Sequence, residues 1–307
     1  MIVTICIATY CRCASLDALL GDLSLQTRLP DEVIVVDNDA NGSAWPVVQR
    51  WQRSATPFSI RYDIQSLQNI ALTRNRTVEL ASGQWIAFID DDERAPESWL
   101  RLLTDAALRY GADGVLGPVD PEVPSDAPRW IRRGRFYEWA RMSSGTTIPR
   151  NKLRFGNVLL RGSLLRRETP PFNPDYGLTG GEDGDLLGRL AQQGARLIWC
   201  DEAVVREPVA PDRLSLKWLL RRAMRGGQDF ARHTFSGHYG PPTQILRALL
   251  FSRALSQLML AAVLAGLVLP AGRQHAARYL IKGAANLGKL SAFWGWRYRE
   301  YAVITAP

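Results

Sequence analysis

The sequence predicts an α/β fold, in which a parallel sheet is covered by helices on both faces and is followed by a basic helical C-terminal region. Two observations indicate this fold: the strand-like segments of the first half are mostly apolar runs, and segments with helical periodicity alternate with them. The chain has 307 residues, 46% of them hydrophobic and 22% charged. It is therefore long enough for one large α/β domain with an appendage, or for two modest domains.

Strands and helices alternate over the first 111 residues. Strands are predicted at IVTICIA (2–8), EVIVVD (32–37), SIRYDI (59–64) and WIAFID (85–90). Ser15 is expected to cap the first helix, and further helices are expected over residues 69–82 and from Pro96 to Gly111. The first apolar run has no basic residues before it, so it indicates a strand and not a signal peptide, and we expect a reducing, cytosolic active site.

Residues 117–149 break this alternation. They are rich in proline, arginine and tryptophan, which predicts a long excursion over the sheet that lines a site. Its aromatic side chains either stack on a ligand such as a sugar or pack in the core; they are Trp130, Phe136, Tyr137 and Trp139. Strand signals return at residues 155–161 and 195–199, on either side of a helix that follows Glu182 and ends at Gly194.

The net charge of +8 is unevenly distributed. Residues 1–212 hold 24 basic and 28 acidic residues, whereas residues 213–307 hold 14 basic residues against Asp229 and Glu300. A basic tail attracts nucleic acid or an anionic membrane, and the uncharged stretch from Ala254 to Gly272 favours the membrane. We therefore predict a main domain over residues 1–235 and a membrane-associating region over 236–307, without nucleic acid as a partner. The alternative is a buried helix pair in a soluble subdomain.

Several classes of protein are disfavoured by what the sequence lacks. Four cysteines in a chain of this length do not form a disulfide framework, and the CxC at residues 11–13 lacks the second pair of a structural zinc site. Three histidines make a Ser-His-Asp triad or a histidine-rich metal centre improbable. There is neither a GxGxxG after the first strand nor a GxxxxGK[ST], so dinucleotide binding and P-loop ATP hydrolysis are disfavoured.

Polar residues follow three of the predicted strands at their carboxyl ends. They are Thr9, Tyr10 and Arg12 after the first, Asp37, Asn38 and Asp39 after the second, and Asp90, Asp91 and Asp92 after the fourth. Open parallel sheets bind their ligands at that edge, so these clusters predict a ligand site.

The three adjacent aspartates are the strongest chemical signal. On an extended backbone Asp90 and Asp92 point the same way, and one or two carboxylates with phosphate oxygens form a typical Mg²⁺ or Mn²⁺ site. The alternative is an acidic turn before the helix at Pro96. Gly180-Gly181-Glu182-Asp183 is a second acidic motif: the carboxylate at the glycine-opened helix start either removes a proton from a sugar hydroxyl or merely complements the helix dipole. The residues alone do not decide between these two roles.

Together these motifs resemble those of a known family. The segments TxxxATYCR, VVDND, NxALTRN, ASGQWIAFIDDDE, FGNVLLR and GGEDGDL occur in the order and spacing of family 2 glycosyltransferases with a GT-A fold. The resemblance covers about residues 1–235 and is strongest to a non-processive bacterial branch of succinoglycan-type exopolysaccharide enzymes. It implies a GT-A (Rossmann-like), mostly parallel sheet, a nucleoside-diphosphate sugar donor, a Mg²⁺ or Mn²⁺ ion, and inversion at the anomeric carbon.

The resemblance also implies roles for individual residues. Asp90 and Asp92 would bind the metal, and Asp183 would be the catalytic base with Glu182 beside it. The residues expected at the donor are Thr9, Tyr10, Arg12, Asp37, Asn38, Asp39, Arg74, Asn75, Asp90 and Asp91. The basic RRAMRGG segment at 221–227 either faces the diphosphate or is a solvated helix face. The QxxRW signature of processive synthases is missing, which disfavours repeated chain extension.

The predicted function is sugar transfer from a nucleoside-diphosphate donor, UDP-linked as the family pattern implies, to a glycan or a polyprenyl-diphosphate-linked acceptor. It would serve bacterial cell-surface polysaccharide synthesis at the cytoplasmic side of the inner membrane, with the chain peripheral or monotopic. Two alternatives are a nucleotidyltransferase that makes sugar nucleotides and a catalytically silent GT-A component of an assembly complex. The first would need a glycine-rich phosphate loop where CRCASLD stands, and the intact DDD and GGED motifs disfavour the second.

Overall fold

A computed structural model describes residues 1–299, which divide into two compact units. Unit 1 contains residues 1–120 and 139–207, and unit 2 contains residues 121–138 and 208–299. These bounds differ from the predicted boundary after residue 235, because the chain leaves unit 1 at residue 121, returns at 139 and leaves again at 208.

Unit 1 is built on a seven-stranded sheet. Its strands are β1 (Val3–Thr9), β2 (Glu32–Asp37), β3 (Ser59–Ile64), β4 (Trp85–Phe88), β5 (Gly114–Leu116), β7 (Val158–Arg161) and β8 (Leu197–Trp199), in the order β3-β2-β1-β4-β7-β5-β8. Two further strands, β6 (Val119–Glu122) and β9 (Val205–Pro208), form a separate two-stranded sheet.

The seven-stranded sheet is mostly parallel, as predicted. β1 lies parallel to β2 and β4, β2 to β3, and β5 to β8, whereas β7 runs antiparallel to both β4 and β5. The sequence did not indicate which strand would run against the others. The reason is that an apolar run such as Val158–Leu160, buried on both faces, carries no information about strand direction.

Helices cover both faces of the sheet. The helices of unit 1 are α1 (Cys13–Ser24), α2 (Trp45–Arg53), α3 (Ile70–Leu80), α4 (Trp99–Arg109), α6 (Gly162–Arg167) and α7 (Glu182–Gln192). Buried side chains of α1, α2 and α4 share one apolar core with the sheet, and those of α3, α6 and α7 share a second. The α/β prediction is thus confirmed, and apolar packing on both faces supports the sheet.

The ends of several elements differ from the predictions. The first helix begins at Cys13, and the carbonyl of Arg12 accepts the first helical hydrogen bond, from the Leu16 N–H at 3.0 Å, so Ser15 lies inside the helix and is not its cap. α4 begins at Trp99, three residues after Pro96. β4 ends at Phe88, two residues before Asp90. The aspartates consequently lie in the loop after the strand.

Unit 2 is helical and contains α5 (Arg129–Gly134), α8 (Leu216–Phe235), α9 (Gln244–Val268) and α10 (Arg273–Ser291). Tyr137 is buried in a small core with Ile131 and Leu219, and Trp130 and Phe136 pack against that core. Of the aromatic residues considered for sugar stacking, these three therefore have a packing role. Residues 244–271 form the one helical segment, among residues 1–299, that is long and apolar enough by composition to cross a membrane.

Candidate active site

The carboxyl ends of β1, β2 and β4 meet at one edge of the sheet, as predicted. The Thr9 hydroxyl after β1 donates a 2.7 Å hydrogen bond to Oδ2 of Asp91, and the Asn38 N–H after β2 donates to the Thr9 carbonyl at 2.8 Å. Parallel strands place their carboxyl ends at the same edge, so three separate polar clusters become one polar surface.

The three aspartates lie in a turn and not on extended backbone. The Glu93 N–H closes this turn by donating to the Asp90 carbonyl at 3.1 Å. The expectation that Asp90 and Asp92 share an extended backbone is therefore wrong. Adjacent carboxylates repel one another, and the turn lets each one meet different donors. Asp90 contacts Arg74, whereas Asp92 contacts Arg12, each through an ion pair of 3.0 and 2.9 Å respectively.

Asp91 points into the protein. The residue is 3% exposed. Its carboxylate accepts hydrogen bonds from the Thr9 hydroxyl and from Nη1 of Arg12, the latter at 2.9 Å. Burial raises the pKa of Asp91 to about 6, against the opposing effects of Arg12 and Thr9. Asp91 thus ties the aspartate turn to the end of β1, and Arg12 bridges Asp91 and Asp92 with a single nitrogen.

Glu93 supports the turn from beneath, a role that the sequence analysis missed. Its carboxylate is buried and accepts the Asp90 N–H at 3.1 Å, and burial followed by the charge of Asp90 raises its pKa well above the ordinary value. Gly156, at φ +104°, makes room for it, because a Cβ there would lie 2.8 Å from Oε1 of Glu93. The signal was present in the fourth acidic residue of DDDE and in the glycine of FGN.

Arg74 joins the two acidic motifs. Its guanidinium donates to Oε1 of Glu182 at 2.6 Å and to Oδ1 of Asp90 at 3.0 Å, and it lies 4.8 Å from the ring centroid of Phe155. Arg74 and Glu182 are both buried. Because one buried cation contacts a carboxylate of each motif, the start of α7 is held beside the aspartate turn.

The carboxylates of the GGEDGD motif have three different environments. Gly180 and Gly181, at φ +76° and +97°, turn the chain into α7, which begins at Glu182. Glu182 is 2% exposed and pairs with Arg74, while Asp185 is buried and pairs with Arg189 at 2.9 Å. Asp183 is half-buried and accepts the Gly184 N–H at 2.7 Å, and within residues 1–299 it forms no ion pair.

Asp183 lies close enough to the aspartate turn to influence it. The pKa of Asp90 is raised, first by removal from water and then by the negative charges of Asp92 and Asp183, with Arg74 opposing. The structure therefore brings together the residues predicted as metal ligands and the residue predicted as the base. Glu182, predicted beside the base, has its carboxylate engaged by Arg74.

The polar residues after β2 shape the rim of the site. Asp37 is fully buried, and its oxygens accept the Ala44 N–H at 2.7 Å, the Asp39 N–H at 2.9 Å and the Tyr62 hydroxyl at 3.1 Å. The Asn38 amide donates to the carbonyls of residues 65 and 67, both at 2.8 Å. These two side chains hold the loops that follow β2 and β3 at this edge of the sheet.

The remaining predicted donor residues fall on both sides of this rim. Asp39 and Tyr10 are half-buried there; hydrogen bonding from Asn41 lowers the pKa of Asp39, and removal from water raises the pKa of the Tyr10 phenol. Asn75 is buried and exchanges two hydrogen bonds with the backbone of Phe172, at 2.7 and 2.8 Å. Asn75 therefore anchors the segment that carries Phe172.

The acidic donor set fits a divalent cation that also binds phosphate. Within the described part of the chain no three acidic, histidine or cysteine side chains converge as a complete metal-binding group. Asp90 and Asp92 nevertheless present hard oxygen ligands, and removal from water together with the charge of Asp92 raises the pKa of Asp90. Mg²⁺ commonly takes one or two carboxylates and completes its shell with substrate phosphates and water, so these residues suffice for such an ion.

An open, mostly parallel sheet with acidic groups at the carboxyl ends of its strands is typical of α/β proteins that bind a ligand at that edge. The comparisons with known proteins specify the kind of enzyme. Residues 4–168 match the family model described as glycosyl transferase family 2. The chain is also 37% identical over 222 residues to the succinoglycan biosynthesis protein ExoM of Rhizobium meliloti (strain 1021), covering 69% of this chain and 68% of that protein. The chain belongs to glycosyl transferase family 2.

Solved structures share the fold. The mannosyltransferase PcManGT from Pyrobaculum calidifontis, in complex with GDP-Man and Mn²⁺, aligns with a TM-score of 0.67 and 19% identity over 95% of this chain and 87% of that one. S. aureus TarS 1–349 in complex with UDP aligns with a TM-score of 0.54 and 17% identity over 97% of this chain and 93% of that one. The predicted GT-A fold is thereby confirmed.

Proposed function

We propose that this family 2 glycosyltransferase moves a sugar from a nucleoside diphosphate, most simply UDP, to an acceptor hydroxyl, with inversion and without repeated extension. The observation that carries the proposal is the link through Arg74, which places the start of α7 beside the aspartate turn. Through it, a candidate base and two candidate metal ligands face the same edge of the sheet.

Asp183 is the proposed base. It is the half-exposed carboxylate of its motif, whereas Glu182 and Asp185 are buried against arginines. Asp183 takes the proton of the acceptor hydroxyl, whose oxygen attacks the anomeric carbon as the bond to the diphosphate oxygen breaks. One in-line displacement inverts that carbon, and general base catalysis contributes about 10²–10⁴-fold to the rate.

Asp90 and Asp92 would hold Mg²⁺ or Mn²⁺, which when bound supplies electrostatic stabilisation of the charge on the departing diphosphate. Asp92 first has to exchange its ion pair with Arg12 for that cation. Arg12 would keep its ion pair with Asp91, and its guanidinium would be suited to a phosphate oxygen of the donor. Thr9, Tyr10, Asp37, Asn38, Asp39 and Asn75 line or support the proposed nucleoside and donor position.

The proposed biological setting is the synthesis of a bacterial surface polysaccharide. The 37% identity to a succinoglycan biosynthesis protein supports this setting. We propose a glycan or polyprenyl-diphosphate-linked acceptor, met at the cytoplasmic face of the inner membrane. Support for the membrane comes from the C-terminal segment of unit 2: residues 208–299 hold 14 lysines and arginines against two acidic residues. Cations of this number attract an anionic leaflet.

The proposal is tested with a panel of sugar nucleotides. Purified full-length protein is incubated with UDP-, GDP- and dTDP-sugars, with and without Mn²⁺, and both the shift in melting temperature and the release of nucleoside diphosphate are measured. We expect one donor to stabilise the protein and to be turned over only when the cation is present. Stabilisation by no donor, or turnover that EDTA leaves unchanged, contradicts the proposal.

A further inference from the structure

In unit 2, α10 packs closely against both α8 and α9, so the three helices can separate only by breaking these contacts. Gly227 of α8 faces the backbone of α10, since a Cβ there would lie 1.9 Å from the Ala285 carbonyl oxygen. Gly288 of α10 faces α8 in the same way, since its Cβ would lie 1.9 Å from the Met224 carbonyl oxygen. This reciprocal close approach fixes α10 to α8.

α9 and α10 form an antiparallel hairpin on the other side of α10. The chain reverses at Gly272. Gly283 of α10 faces α9, since a Cβ there would lie 3.6 Å from the Cβ of Ala261. Farther from the turn, the rings of Phe251 and Phe293 meet edge to face with centroids 5.3 Å apart. The two residues of each pair are equally far from Gly272 along the chain, so the helices stay in contact over most of their length.

One face of α9 is packed and the opposite face is bare. Its buried residues, Ala254, Ala261 and Ala265, fall on the side toward α10. On the other side lies an exposed apolar stripe, at helical spacing, of Ile245, Leu249, Met259, Leu260, Val263 and Leu267, each at least 58% exposed. Only 17% of the most apolar 18-residue window of this helix is buried.

Polar groups on the bare face are satisfied within the helix. The hydroxyl of Ser252 donates to the Ala248 carbonyl, and that of Ser256 to the Ser252 carbonyl, both at 2.9 Å. Hydroxyls bonded in this way need no partner from water or protein, which is how they are accommodated against lipid. Trp294 and Trp296, 72% and 52% exposed, lie beyond the end of α10, and the Trp294 ring is 6.2 Å from Phe251 at the start of α9. Tryptophan favours the interface between lipid and water.

We infer that α9 lies in the plane of an anionic bilayer, with the apolar stripe immersed among the lipids and α10 on its aqueous side. The alternative, in which α9 crosses the bilayer, would draw α10 into the hydrocarbon with it. α10 carries Arg278 and Lys282 on exposed positions, and charged groups are strongly disfavoured there. The hairpin of α9 and α10 as a whole has an apolar face on α9 and a charged face on α10, and an element with two such faces favours in-plane insertion. This inference deepens the membrane contact of the proposed function.

The orientation is tested by the depth of labels along α9. A fluorescent amino acid is introduced by codon suppression into full-length protein at Leu249, Met259 or Leu267, one at a time, with Lys282 on α10 as the control. Vesicles of equal parts phosphatidylcholine and phosphatidylglycerol carry bromine at shallow or deep acyl positions. We expect shallow quenching of similar strength at the three α9 positions and none at Lys282.

Two results would overturn the inference. Deep quenching at Met259 together with Lys282, and shallow quenching at both ends of α9, would show that the hairpin crosses the bilayer. Absence of quenching at all four positions, with the stripe labels shielded from iodide in the absence of lipid, would show that a second copy or another protein covers the stripe. Donor turnover is measured on the same labelled proteins. Similar shallow quenching at the three α9 positions without donor turnover would contradict the transferase proposal but still support the in-plane orientation of α9.

Discussion

At the scale of single residues, the site depends on how a few buried charges are compensated. Asp90, Asp91 and Asp92 would repel one another on a bare surface, and two arginines compensate them: Arg12 pairs with Asp91 and Asp92, and Arg74 pairs with Asp90. The acidic motifs and their position at the sheet edge were predictable from the sequence. The pairing was not, because Arg74 lies 16 residues from Asp90 and 108 from Glu182, and only the fold brings them into contact.

Arg74→Ala should therefore remove both stability and transfer. It leaves the buried carboxylate of Glu182 without its charge partner, and breaking a buried pair of this kind costs about 3–5 kcal/mol. Urea unfolding measures this loss. Adding Glu182→Leu to the Arg74→Ala variant should recover part of the stability without recovering transfer. Full transfer activity in Arg74→Ala would contradict the positioning role.

Glu32 offers a matched test of a buried carboxylate away from the site. It accepts the Thr4 hydroxyl at 2.7 Å and the Ser82 N–H at 3.1 Å, and these hydrogen bonds lower its pKa although burial opposes them. Glu32→Gln should cost about 1.5–3 kcal/mol near neutral pH. Donor affinity and Mn²⁺ dependence should stay unchanged in the folded variant.

The pH dependence of that loss has a definite sign. A carboxylate whose pKa is lowered by folding stabilises the protein above its unfolded pKa, and that stability is lost as the pH falls through the folded pKa. The difference in unfolding free energy between wild type and Glu32→Gln should thus be full at pH 7 and shrink below about pH 4. A difference that stays constant from pH 7 to pH 3 would show that the charge of Glu32 is not involved.

At the scale of helices and strands, long apolar segments were predictable and short or irregular ones were not. β1, β2 and β3 were predicted within a residue or less of their observed bounds. β5, β6 and β9, with three or four residues each, carry too few residues for a recognisable period. The aspartate turn was mistaken for extended backbone, because the hydrogen bonds that close it join Asp90 to Glu93, a residue that the sequence analysis did not include in the aspartate motif.

The glycine pair of α8 allows a sharp test at this scale. A Cβ on Gly227 would collide with the backbone of α10, whereas one on Gly226 would meet nothing within 4 Å. Gly227→Ala should destabilise the protein by about 1–3 kcal/mol through overpacking, and Gly226→Ala should be neutral or stabilise it by about 0.5–1 kcal/mol. Thermal unfolding of both variants decides the matter, and equal melting temperatures would contradict the close packing of α8 and α10. The close approach of Gly227 to α10 also indicates a packing role for this residue of the RRAMRGG segment.

At the scale of the whole molecule, charge and apolar surface are concentrated in unit 2. The net charge of +8 arises from residues 213–307, since residues 1–212 carry four more acidic than basic residues. This asymmetry was visible in the sequence. The sequence did not show whether α9 and α10 are a buried helix pair or a pair on the surface. The reason is that the exposed face of α9 is strongly apolar, whereas its contacts with α10 are made by alanine and glycine.

Binding to membranes should consequently depend on charge. We expect the protein to bind vesicles that contain phosphatidylglycerol and to be released from them as salt is raised, because screening weakens attraction between exposed charges. The double variant Arg273→Gln/Lys282→Gln should bind about fivefold more weakly for each charge removed, at about 1 kcal/mol per residue. Vesicle sedimentation measures this, with phosphatidylcholine vesicles as the control. Binding that is insensitive to both salt and substitution would show that charge plays no part.

The most direct test of the account concerns the role of Asp183 in transfer. Asp183→Asn keeps the size of the side chain and the acceptor for the Gly184 N–H but removes the proton acceptor. Donor affinity, measured by calorimetry with Mn²⁺, should stay within a factor of about two, while the single-turnover rate of transfer should fall by about 10²–10⁴-fold. An unchanged transfer rate, or a fall in transfer matched by an equal loss of donor affinity, would contradict the assignment of Asp183 as the base.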